Sequence, residues 1–590
     1  MKFTKRYLIT VGLMIALVAY FLAPPDTEPG LYFAELSFPN PNNGEIIRVP
    51  FNFTLSEFEE SGLITKIYKF SNFSAYLKFR EKYLLKPGSP IEFYVKIIWN
   101  NGTSIHLVPD SLVISIEKGQ SFHVEIRPTK VSDDEYYFVY HPLVKSNEAF
   151  FILFFIAFLW FTEALPLASS ALLIPVFAVV FQILEPKYAL SPFFSPATVL
   201  IMGGLFIGRA LQKYQIDKRI ALLIVSKTKG HVSVLMLAMM YTTAFLSFWI
   251  SNTAAAAVML PIGLAVVYKV GNGVARTNYG KIVILGIAYS ATIGGIATLI
   301  GTPPNLVAAG MLQSILGINF SFVDWLPFGL PYVIIFIPIV YKILITVFKP
   351  EEGFENSLGK IMQESKKELE KLGPITLEQK AVLIVFTLTI ILWLTEKVPD
   401  FIAKAMGFNG HGISSSIVAL IGVGGLFILG LLGEEDITKI NWSAIFIIGG
   451  GLALGEIITR TGVSDWIAQS LGLLQGTHIL ILNFVVGAHS LILTMFASNT
   501  AAAAILVPIA IPLAISLGVD PILLTITIAI AASLDFALPV GTPPSTLAYS
   551  TGMVKLKEMI KVGLILDIIS LLLLTFGMIW IWFFLGLITL

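Results

Sequence analysis

The stretch FWISNTAAAAVMLPI, residues 248–262, places a Ser-Asn-Thr triplet inside apolar sequence, and MFASNTAAAAILVPIA, residues 495–510, nearly repeats it 247 positions later. The apolar run around the first triplet, residues 231–267, is too long for one straight membrane span, which needs about 20 residues. We therefore predict a helical hairpin that dips into the membrane with the triplet at its tip. Backbone groups at such a tip are tolerated at membrane depth only where protein or a water-filled cavity satisfies them.

Composition sets the class of protein. The chain has 590 residues, 56% of them hydrophobic, with a mean hydropathy of +0.81, which predicts an α-helical polytopic membrane protein. The net charge of +1 and the lack of a basic block argue against a nucleic-acid partner. There are no cysteines, which excludes thiol catalysis and cysteine metal sites, and the seven histidines form no i, i+4 pair.

The amino-terminal segment carries Lys2, Lys5 and Arg6 before an apolar run. A cleaved signal peptide has similar flanks, but no clear A-x-A site follows, so we predict a retained first helix whose basic end is cytoplasmic.

The next segment, residues 30–143, is polar and alternates in strand fashion, as in IEFYVKIIW (91–99), with a hairpin turn expected at 100–102. It predicts an inserted all-β, sandwich-like domain, extracellular if the first helix starts inside. Weak support for that side comes from three glycosylation triplets, at Asn52, Asn72 and Asn101.

The rest of the chain is an internal duplication. Four landmarks recur in the same order, offset by 233 to 247 residues: WFTE and WLTE, IMGG and IIGG, the two SNT triplets, and GTPPN and GTPPS. Residues 209–230 carry six basic residues, whereas the matching stretch 455–476 carries one, Arg460. The positive-inside rule then puts equivalent segments on opposite sides, which predicts inverted repeats. The predicted division is a first helix and linker (1–29), the β insertion (30–143), membrane repeat 1 (144–348), a cytoplasmic linker (349–376) and membrane repeat 2 (377–590).

The two GTPP motifs, at 301–304 and 541–544, predict broken helices, because consecutive prolines remove backbone donors and glycine permits unwound geometry. Amino-terminal ends of half-helices attract anions, and unwound carbonyls with Ser, Thr and Asn oxygens coordinate Na⁺. No Arg or Lys lies in these motifs. Inverted repeats with broken helices are typical of secondary transporters that bind substrate near the membrane midplane.

The paired SNT motifs, the paired GTPP motifs and the opening WFTEALP (160–166) resemble the divalent anion:sodium symporter family, over residues 6–23 and 147–590. The resemblance implies about eleven transmembrane helices with two reentrant hairpins, a cytoplasmic amino terminus and an extracellular carboxyl terminus. It also implies a plasma-membrane homodimer that imports di- or tricarboxylates with Na⁺ by an elevator mechanism.

The same resemblance implies two sodium sites, one at Ser247, Ser251, Asn252 and Gly301, the other at Thr494, Ala497, Asn499 and Gly541. Substrate carboxylates would meet Ser251, Asn252, Thr253, Ser498, Asn499, Thr500, Thr542 and Pro543. Independently of the resemblance, Ser247 and Thr494 each precede their SNT serine by four residues, which places them on the same hairpin face.

Two residues depart from the family pattern. Ser545 ends the second GTPP motif where the family has Asn, as Asn305 does in the first. Asp535 is acidic where small or apolar residues are usual, and an ionised Asp at a helix centre costs roughly 2.5–3.5 kcal/mol on insertion scales. Asp535 is therefore predicted to face a cavity or stay protonated, either as a coupling site for a cation or proton or as a hydrogen-bonded helix contact.

Other functions remain open at this point. Within transport, the alternatives are a sulfate-type oxyanion, proton coupling or carboxylate exchange. An intramembrane hydrolase needs a nucleophile and base or paired acids, and neither an HExxH motif nor an acidic partner for Asp535 in its own helix is present. A sensor that uses the β domain on a transporter-like body is the third class.

Overall fold

The computed structural model describes residues 2–24, 26, 143–228, 232–270, 277–351, 358–398, 407–471, 474 and 476–589, together with Ser61 and ten strands between residues 30 and 140. The predicted hairpin turn at 100–102 and the triplets at Asn72 and Asn101 lie outside the described residues.

The first helix, α1 (Lys2–Leu22), packs against α2, and the helices of the first half run in the order α2 (Ser146–Thr162), α3 (Leu167–Val180), α4 (Pro186–Leu190), α5 (Pro196–Lys213), α6 (Ile216–Lys227), α7 (Val232–Ser247), α8 (Asn252–Val270), α9 (Asn278–Gly294), α10 (Pro303–Leu316) and α11 (Phe322–Phe348). A 3₁₀ turn, Ser191–Phe194, joins α4 to α5.

After a linker helix, α12 (Leu358–Lys371), the second half consists of α13 (Leu377–Leu394), α14 (Ser415–Ile428), α15 (Glu434–Ile437), α16 (Trp442–Arg460), α17 (Val463–Ser470), α18 (Ile479–Phe496), α19 (Asn499–Leu517), α20 (Pro521–Ala531), α21 (Pro543–Ser550), α22 (Leu556–Leu572) and α23 (Ile579–Phe584). A π-helical turn, Leu573–Met578, joins the last two helices, and Asn483 Nδ2 donates to the carbonyl of Thr575 within it.

The chain is largely helical and carries seven helical segments long and apolar enough to cross a membrane, counted within the described residues. They are Pro186–Lys213, Phe322–Phe348, Leu377–Leu394, Trp442–Arg460, Ile479–Phe496, Asn499–Leu517 and Leu556–Phe584. Seven shorter apolar helices accompany them, among them the arms α7 and α8. The predicted class of polytopic membrane protein is confirmed at this level, and the number eleven stays a prediction.

Between α1 and α2 the chain forms two five-stranded sheets, in the orders β5-β2-β1-β7-β8 and β3-β4-β6-β10-β9. The strands are β1 (Gly30–Pro39), β2 (Ile46–Ser56), β3 (Leu63–Lys69), β4 (Phe73–Arg80), β5 (Lys82–Leu84), β6 (Ile91–Trp99), β7 (Ser111–Ile116), β8 (Val124–Ile126), β9 (Thr129–Ser132) and β10 (Glu135–Tyr140). All neighbouring pairs are antiparallel except β2 with β5, which is parallel.

The chain leaves and re-enters the helical part at one place. Asp26 accepts hydrogen bonds from the amides of Lys145 and Ser146, at 3.0 and 2.8 Å, and the Ser146 hydroxyl donates to the carbonyl of Pro24. An acidic side chain at the amino-terminal end of α2 is favourable because that end carries positive partial charge.

The linker helix is held against the first half. α12 packs on α6, and Arg219 donates to the carbonyls of Leu372 and Gly373, just beyond the end of α12. A cation at these carboxyl-terminal carbonyls also suits the helix dipole.

An ion-pair cluster joins the two halves at the end of α5. Asp436 is buried and accepts from Arg209 at 2.9 Å and from Lys213 at 2.6 Å. Burial raises the pKa of this carboxyl, but hydrogen bonds from Lys213, from the Gly433 amide and from Arg209 outweigh it and lower the pKa to about 2.

Candidate transport site

Each SNT motif starts a helix after a break. Ser251 and Ser498 occupy the position before α8 and α19, and their hydroxyls accept from the amides of Ala254 and Ala501 at 3.3 and 3.2 Å. Serine is favoured here because its oxygen satisfies one of the free amides of the first turn. In each half the arms before and after the break, α7 with α8 and α18 with α19, pack against each other.

An oxygen cluster lies at the first break. The Ser247 hydroxyl, at the end of α7, is 2.7 Å from Asn252 Oδ1 and 2.6 Å from the carbonyl oxygen of Ala291 on α9. A serine hydroxyl has one proton, so it can donate to only one of these two acceptors. The side chain is fully buried.

The second break repeats this cluster. The Thr494 hydroxyl is 2.9 Å from Asn499 Oδ1 and 2.7 Å from the carbonyl oxygen of Ala532, which follows α20. Thr494 is also fully buried. The same three kinds of oxygen, a hydroxyl, an amide carbonyl and a backbone carbonyl, therefore meet in both halves.

These clusters fit a hard monovalent cation. Each contains one more acceptor than its hydroxyl proton can satisfy, and hydroxyl and carbonyl oxygens are suitable ligands for such a cation. The helices α7 and α18 end at the clusters, so their negative dipole ends also favour positive charge. Within the described residues no group of three His, Cys, Asp or Glu that could hold a metal ion is found.

The first GTPP motif closes an unwound loop, residues 295–302, between α9 and α10. Asn305 is buried, and its Nδ2 donates to the carbonyls of Gly295 and Thr298 at 3.1 and 2.8 Å. A Cβ atom at Gly301 would lie 2.5 Å from the Gly295 oxygen, so glycine is required there. The prolines lie at the start of α10, where no intrahelical donor is lost.

The second GTPP motif closes the loop 532–542 between α20 and α21 differently. Thr542 accepts from the amide of Ser545 and donates to the Ser545 hydroxyl, so Ser545 makes a local cap instead of bridging the loop. The loop is held from other helices: Asp567 on α22 accepts from the Phe536 amide at 2.9 Å, and Tyr289 on α9 donates to the Phe536 carbonyl at 3.2 Å.

The broken helix of each half packs against helices of the other half. α10 packs against α19, and α21 packs against α8 and α9. Thr292, next to the cluster residue Ala291, has its hydroxyl 3.5 Å from that of Thr542. The two halves therefore meet at the motifs that the sequence singles out.

The structure brings together Ser247 with Asn252 and Thr494 with Asn499, and it places Gly301 and Gly541 on the adjoining loops. Ser251, Thr253 and Pro543 are exposed, Ser498 is partly exposed, and Ala497 and Thr500 are buried. Ser251 caps α8, and no hydrogen bond joins the two SNT triplets directly among the described residues. The roles of all the predicted site residues stay predictions.

Sequence reasoning missed Asp567. This acid is buried on α22 in the apolar sequence ILDIIS, a signal that could have marked it, because ionisable residues inside membrane helices are rare and usually functional. It lies close enough to Asp535 for the two carboxyls to interact electrostatically. Asp535 thus has an acidic neighbour from another helix, although it has none in its own.

Comparisons with known proteins agree with the motifs. The sequence profile described as "Sodium:sulfate symporter transmembrane region" matches residues 143–588. An "Uncharacterized transporter" of Haemophilus influenzae is 36% identical over 431 residues, covering 72% of this chain and 89% of that protein. The "Sodium-dependent dicarboxylate transporter SdcS" of Staphylococcus saprophyticus is 32% identical over 453 residues, covering 73% of this chain and 86% of that protein.

A structural likeness to MtrF of Neisseria gonorrhoeae has a TM-score of 0.48 at 18% identity and covers 66% of this chain and 82% of that one, so the assignment rests on the sequence matches. The chain belongs to the family of the sodium:sulfate symporter transmembrane region, the divalent anion:sodium symporter family.

Proposed function

We propose that this chain is a secondary active transporter that couples Na⁺ entry to the import of di- or tricarboxylates of the succinate, malate, fumarate or citrate type. The observation that carries the proposal is the matched pair of oxygen clusters, Ser247 with Asn252 and Ala291 O, and Thr494 with Asn499 and Ala532 O. Each cluster would hold one Na⁺, which supplies positive charge beside the anion site. The name of the staphylococcal relative supports sodium coupling and a dicarboxylate substrate.

The anion would be held without a basic side chain. No Arg or Lys lies in the SNT or GTPP motifs, so the donors are hydroxyls, amides and the positive ends of α8, α19, α10 and α21. Ser251, Asn252, Thr253, Ser498, Asn499, Thr500, Thr542 and Pro543 are the residues proposed to meet its carboxylates. Neutral donors suit a carrier because the anion must also be released.

Cation and anion binding would be coupled because the oxygen and the nitrogen of the same Asn side-chain amide contact different ligands. Asn252 directs Oδ1 to the Ser247 cluster, and Asn499 directs Oδ1 to Thr494. Cation binding at Oδ1 fixes the plane of the amide, and its NH₂ group is then held in one orientation as a donor to the substrate. Loss of the cation frees the amide to rotate, which weakens the anion contact.

An elevator movement is the proposed transport step. Because α10 packs on α19 and α21 packs on α8 and α9, the motifs of both halves form one packed unit that can move together. Family membership supports the rest of the proposal. The proposed fold has about eleven spans with two reentrant hairpins, arranged as two inverted repeats (144–348 and 377–590). The proposed assembly is a homodimer in the plasma membrane. The amino terminus and the linker (349–376) would be cytoplasmic, and the β insertion and the carboxyl terminus extracellular.

The test is uptake of labelled succinate, citrate and sulfate into proteoliposomes, with and without an inward Na⁺ gradient. The proposal expects gradient-driven accumulation of at least one carboxylate and weaker or no accumulation of sulfate. Uptake of all three that ignores the gradient would refute it. Accumulation of sulfate alone would move the substrate to the oxyanion that the family description names.

A further inference from the structure

Asp535 is a buried carboxylate without a partner. Its exposure is 0%, and neither oxygen has a hydrogen bond within the part of the chain that the structure describes. The backbone amides of Ala537 and Leu538 are close enough to influence the carboxyl, but neither forms a hydrogen bond of normal geometry with it. No described Lys or Arg pairs with it within 4.0 Å. A buried carboxyl in this position is stable either when it is protonated or when a cation lies beside its oxygens, because an unpaired buried charge is strongly unfavourable.

The carboxylate occupies a position that holds another oxygen in the first half. Six residues before the motif glycine, the first half has Gly295 and the second has Asp535. A Cβ atom at Gly301 would meet the Gly295 carbonyl oxygen at 2.5 Å, and a Cβ atom at Gly541 would meet Asp535 Oδ2 at 1.4 Å. In both halves an oxygen therefore contacts the motif glycine. It is a backbone carbonyl oxygen in the first half and a side-chain carboxyl oxygen in the second.

The two departures from the family pattern are linked here. In the first half the Gly295 oxygen is satisfied by Asn305 Nδ2 at 3.1 Å. In the second half Ser545 is hydrogen-bonded to Thr542, and it has no side-chain amide that could reach the corresponding oxygen. Asp535 Oδ2 therefore has no hydrogen-bond partner among the described residues. Relative to the first half, Ser545 in place of Asn removes a hydrogen-bond donor, and Asp535 in place of Gly adds an acceptor at the same place.

The free oxygens belong to the same loop as the second oxygen cluster. Ala532, whose carbonyl lies 2.7 Å from the Thr494 hydroxyl, Asp535 and Gly541 are all within residues 532–541. Asp567 Oδ2 on the neighbouring helix is a further buried oxygen without a hydrogen-bond partner among the described residues. The surroundings are thus acceptor-rich and favour a cation.

We propose that Asp535 is an anionic ligand of the second cation site, so that this site binds Na⁺ with a formal charge that the first site lacks. The inference rests on the proposed function and deepens it. Charged ligation makes the second site the tighter of the two, and Na⁺ fills it first. Gly541 is required because only glycine leaves room for the carboxylate oxygen.

The experiment measures Na⁺ binding without transport. Purified protein is titrated with NaCl against choline chloride at constant ionic strength, and the midpoint of the rise in Tm is read, since a ligand that binds the folded state stabilises it. For Asp535→Asn the Na⁺ midpoint is expected to rise about tenfold or more, and the Na⁺ midpoint of uptake to rise in parallel. The control Asp436→Asn removes a buried carboxylate that pairs with Arg209 and Lys213 outside this loop, and its Na⁺ midpoint is expected to stay within about threefold of the wild type.

A second variant guards against misfolding. Asp535→Gly with Ser545→Asn restores the first-half pattern on both residues, and it is expected to fold and to show the same weakened Na⁺ midpoint. A Na⁺ midpoint within twofold of the wild type in either folded variant overturns the inference. A wild type whose Tm and uptake both ignore Na⁺ overturns the proposed function instead, so the two failures are distinguishable.

Discussion

The two broken-helix loops have the same outline and are fastened in different ways. In the first half, Asn305 reaches back from α10 and bridges the carbonyls of Gly295 and Thr298, so the loop is held by its own helix. In the second half, the loop is held from outside, by Asp567 on α22 and Tyr289 on α9. The motif sequence GTPP fixes the break in both halves, but residues elsewhere decide how the break is stabilised.

The difference teaches that a duplicated site need not be chemically symmetric. Both halves retain the cluster of a hydroxyl, an Asn oxygen and a backbone carbonyl. The loop beside the cluster has no acidic residue in the first half, whereas in the second half Asp535 lies in the loop and Asp567, also buried, contacts it from α22. The variants below change the clusters, the first loop, the contact between the halves and the β segment, and uptake or stability is measured for each.

The largest effect is expected for Asn252→Ala and Asn499→Ala. Each removes the oxygen from one cluster and the NH₂ donor proposed for the substrate, and two contacts to charged groups are worth about 1.5–3 kcal/mol each. Uptake at low Na⁺ and substrate should therefore fall at least about 100-fold in either variant. Thr242→Val, on the same arm α7, loses only a bond to Ala238 O and should transport normally. Normal uptake in both Asn variants would remove the hairpin-tip model.

Asn305→Ser transfers the second-half residue to the first half. The shorter side chain cannot bridge two carbonyls. The Gly295 carbonyl loses its partner, whereas the Thr298 carbonyl still accepts from the Gly301 amide, so the change should cost about 1–3 kcal/mol of unfolding free energy. The measurement is chemical unfolding in detergent. Ser314→Ala, on the same helix, loses one local bond to Met311 O and serves as the control. Equal stability of Asn305→Ser and the control would show that the Asn305 side chain does not stabilise the first loop.

Asp436→Asn tests the ion-pair cluster that joins the halves outside the site. Arg209 and Lys213 lose their shared carboxylate, whose lowered pKa of about 2 corresponds to roughly 2 kcal/mol, so we expect a loss of about 1–3 kcal/mol. The folded-state pKa of about 2 lies below the unfolded value of roughly 4, so this stabilisation is complete above pH 4 and fades as pH falls towards 2. Thermal unfolding from pH 8 to 3 checks this.

The control for that experiment is Glu434→Gln, an exposed acid on the same short helix. The difference in stability between wild type and Asp436→Asn should be constant from pH 8 to 5 and shrink only below pH 4. A difference that shrinks already between pH 7 and 5 would contradict the assigned ion pairs.

The smallest effect is expected for replacing residues 30–140 with a short Gly-Ser linker. Asp26 already joins the two ends of this segment by bonds to Lys145 and Ser146, so the helical part should assemble unchanged. Uptake within about twofold of the wild type is the expected result, because no motif of the site lies there. A complete loss of uptake in a folded variant would favour a role of the β segment in the function itself.

Much of this was accessible from sequence because the breaks are local. SNT and GTPP predict helix starts and interruptions, and the structure has α8, α19, α10 and α21 beginning at those motifs. The four-residue spacing in the sequence also pairs Ser247 with the first triplet and Thr494 with the second. Family membership followed from the same motifs.

The rest required geometry. The third oxygen of each cluster is a backbone carbonyl, 44 residues from Ser247 and 38 from Thr494, and a backbone atom leaves no signature in sequence. Ser545 and Asp535 were visible as separate departures, but their connection depends on which oxygen contacts Gly541. Asp567 is recognisable in the sequence as a lone acid in an apolar helix, but nothing in the sequence indicates that it accepts a hydrogen bond from the Phe536 amide.

The most direct test of the paired cation clusters is the Na⁺ dependence of succinate uptake into proteoliposomes under initial-rate conditions. Two cation sites that both support one substrate predict a sigmoidal curve, with a Hill coefficient above one and approaching about two, and no uptake when choline replaces Na⁺. A hyperbolic curve, or uptake that persists in choline, would contradict the account.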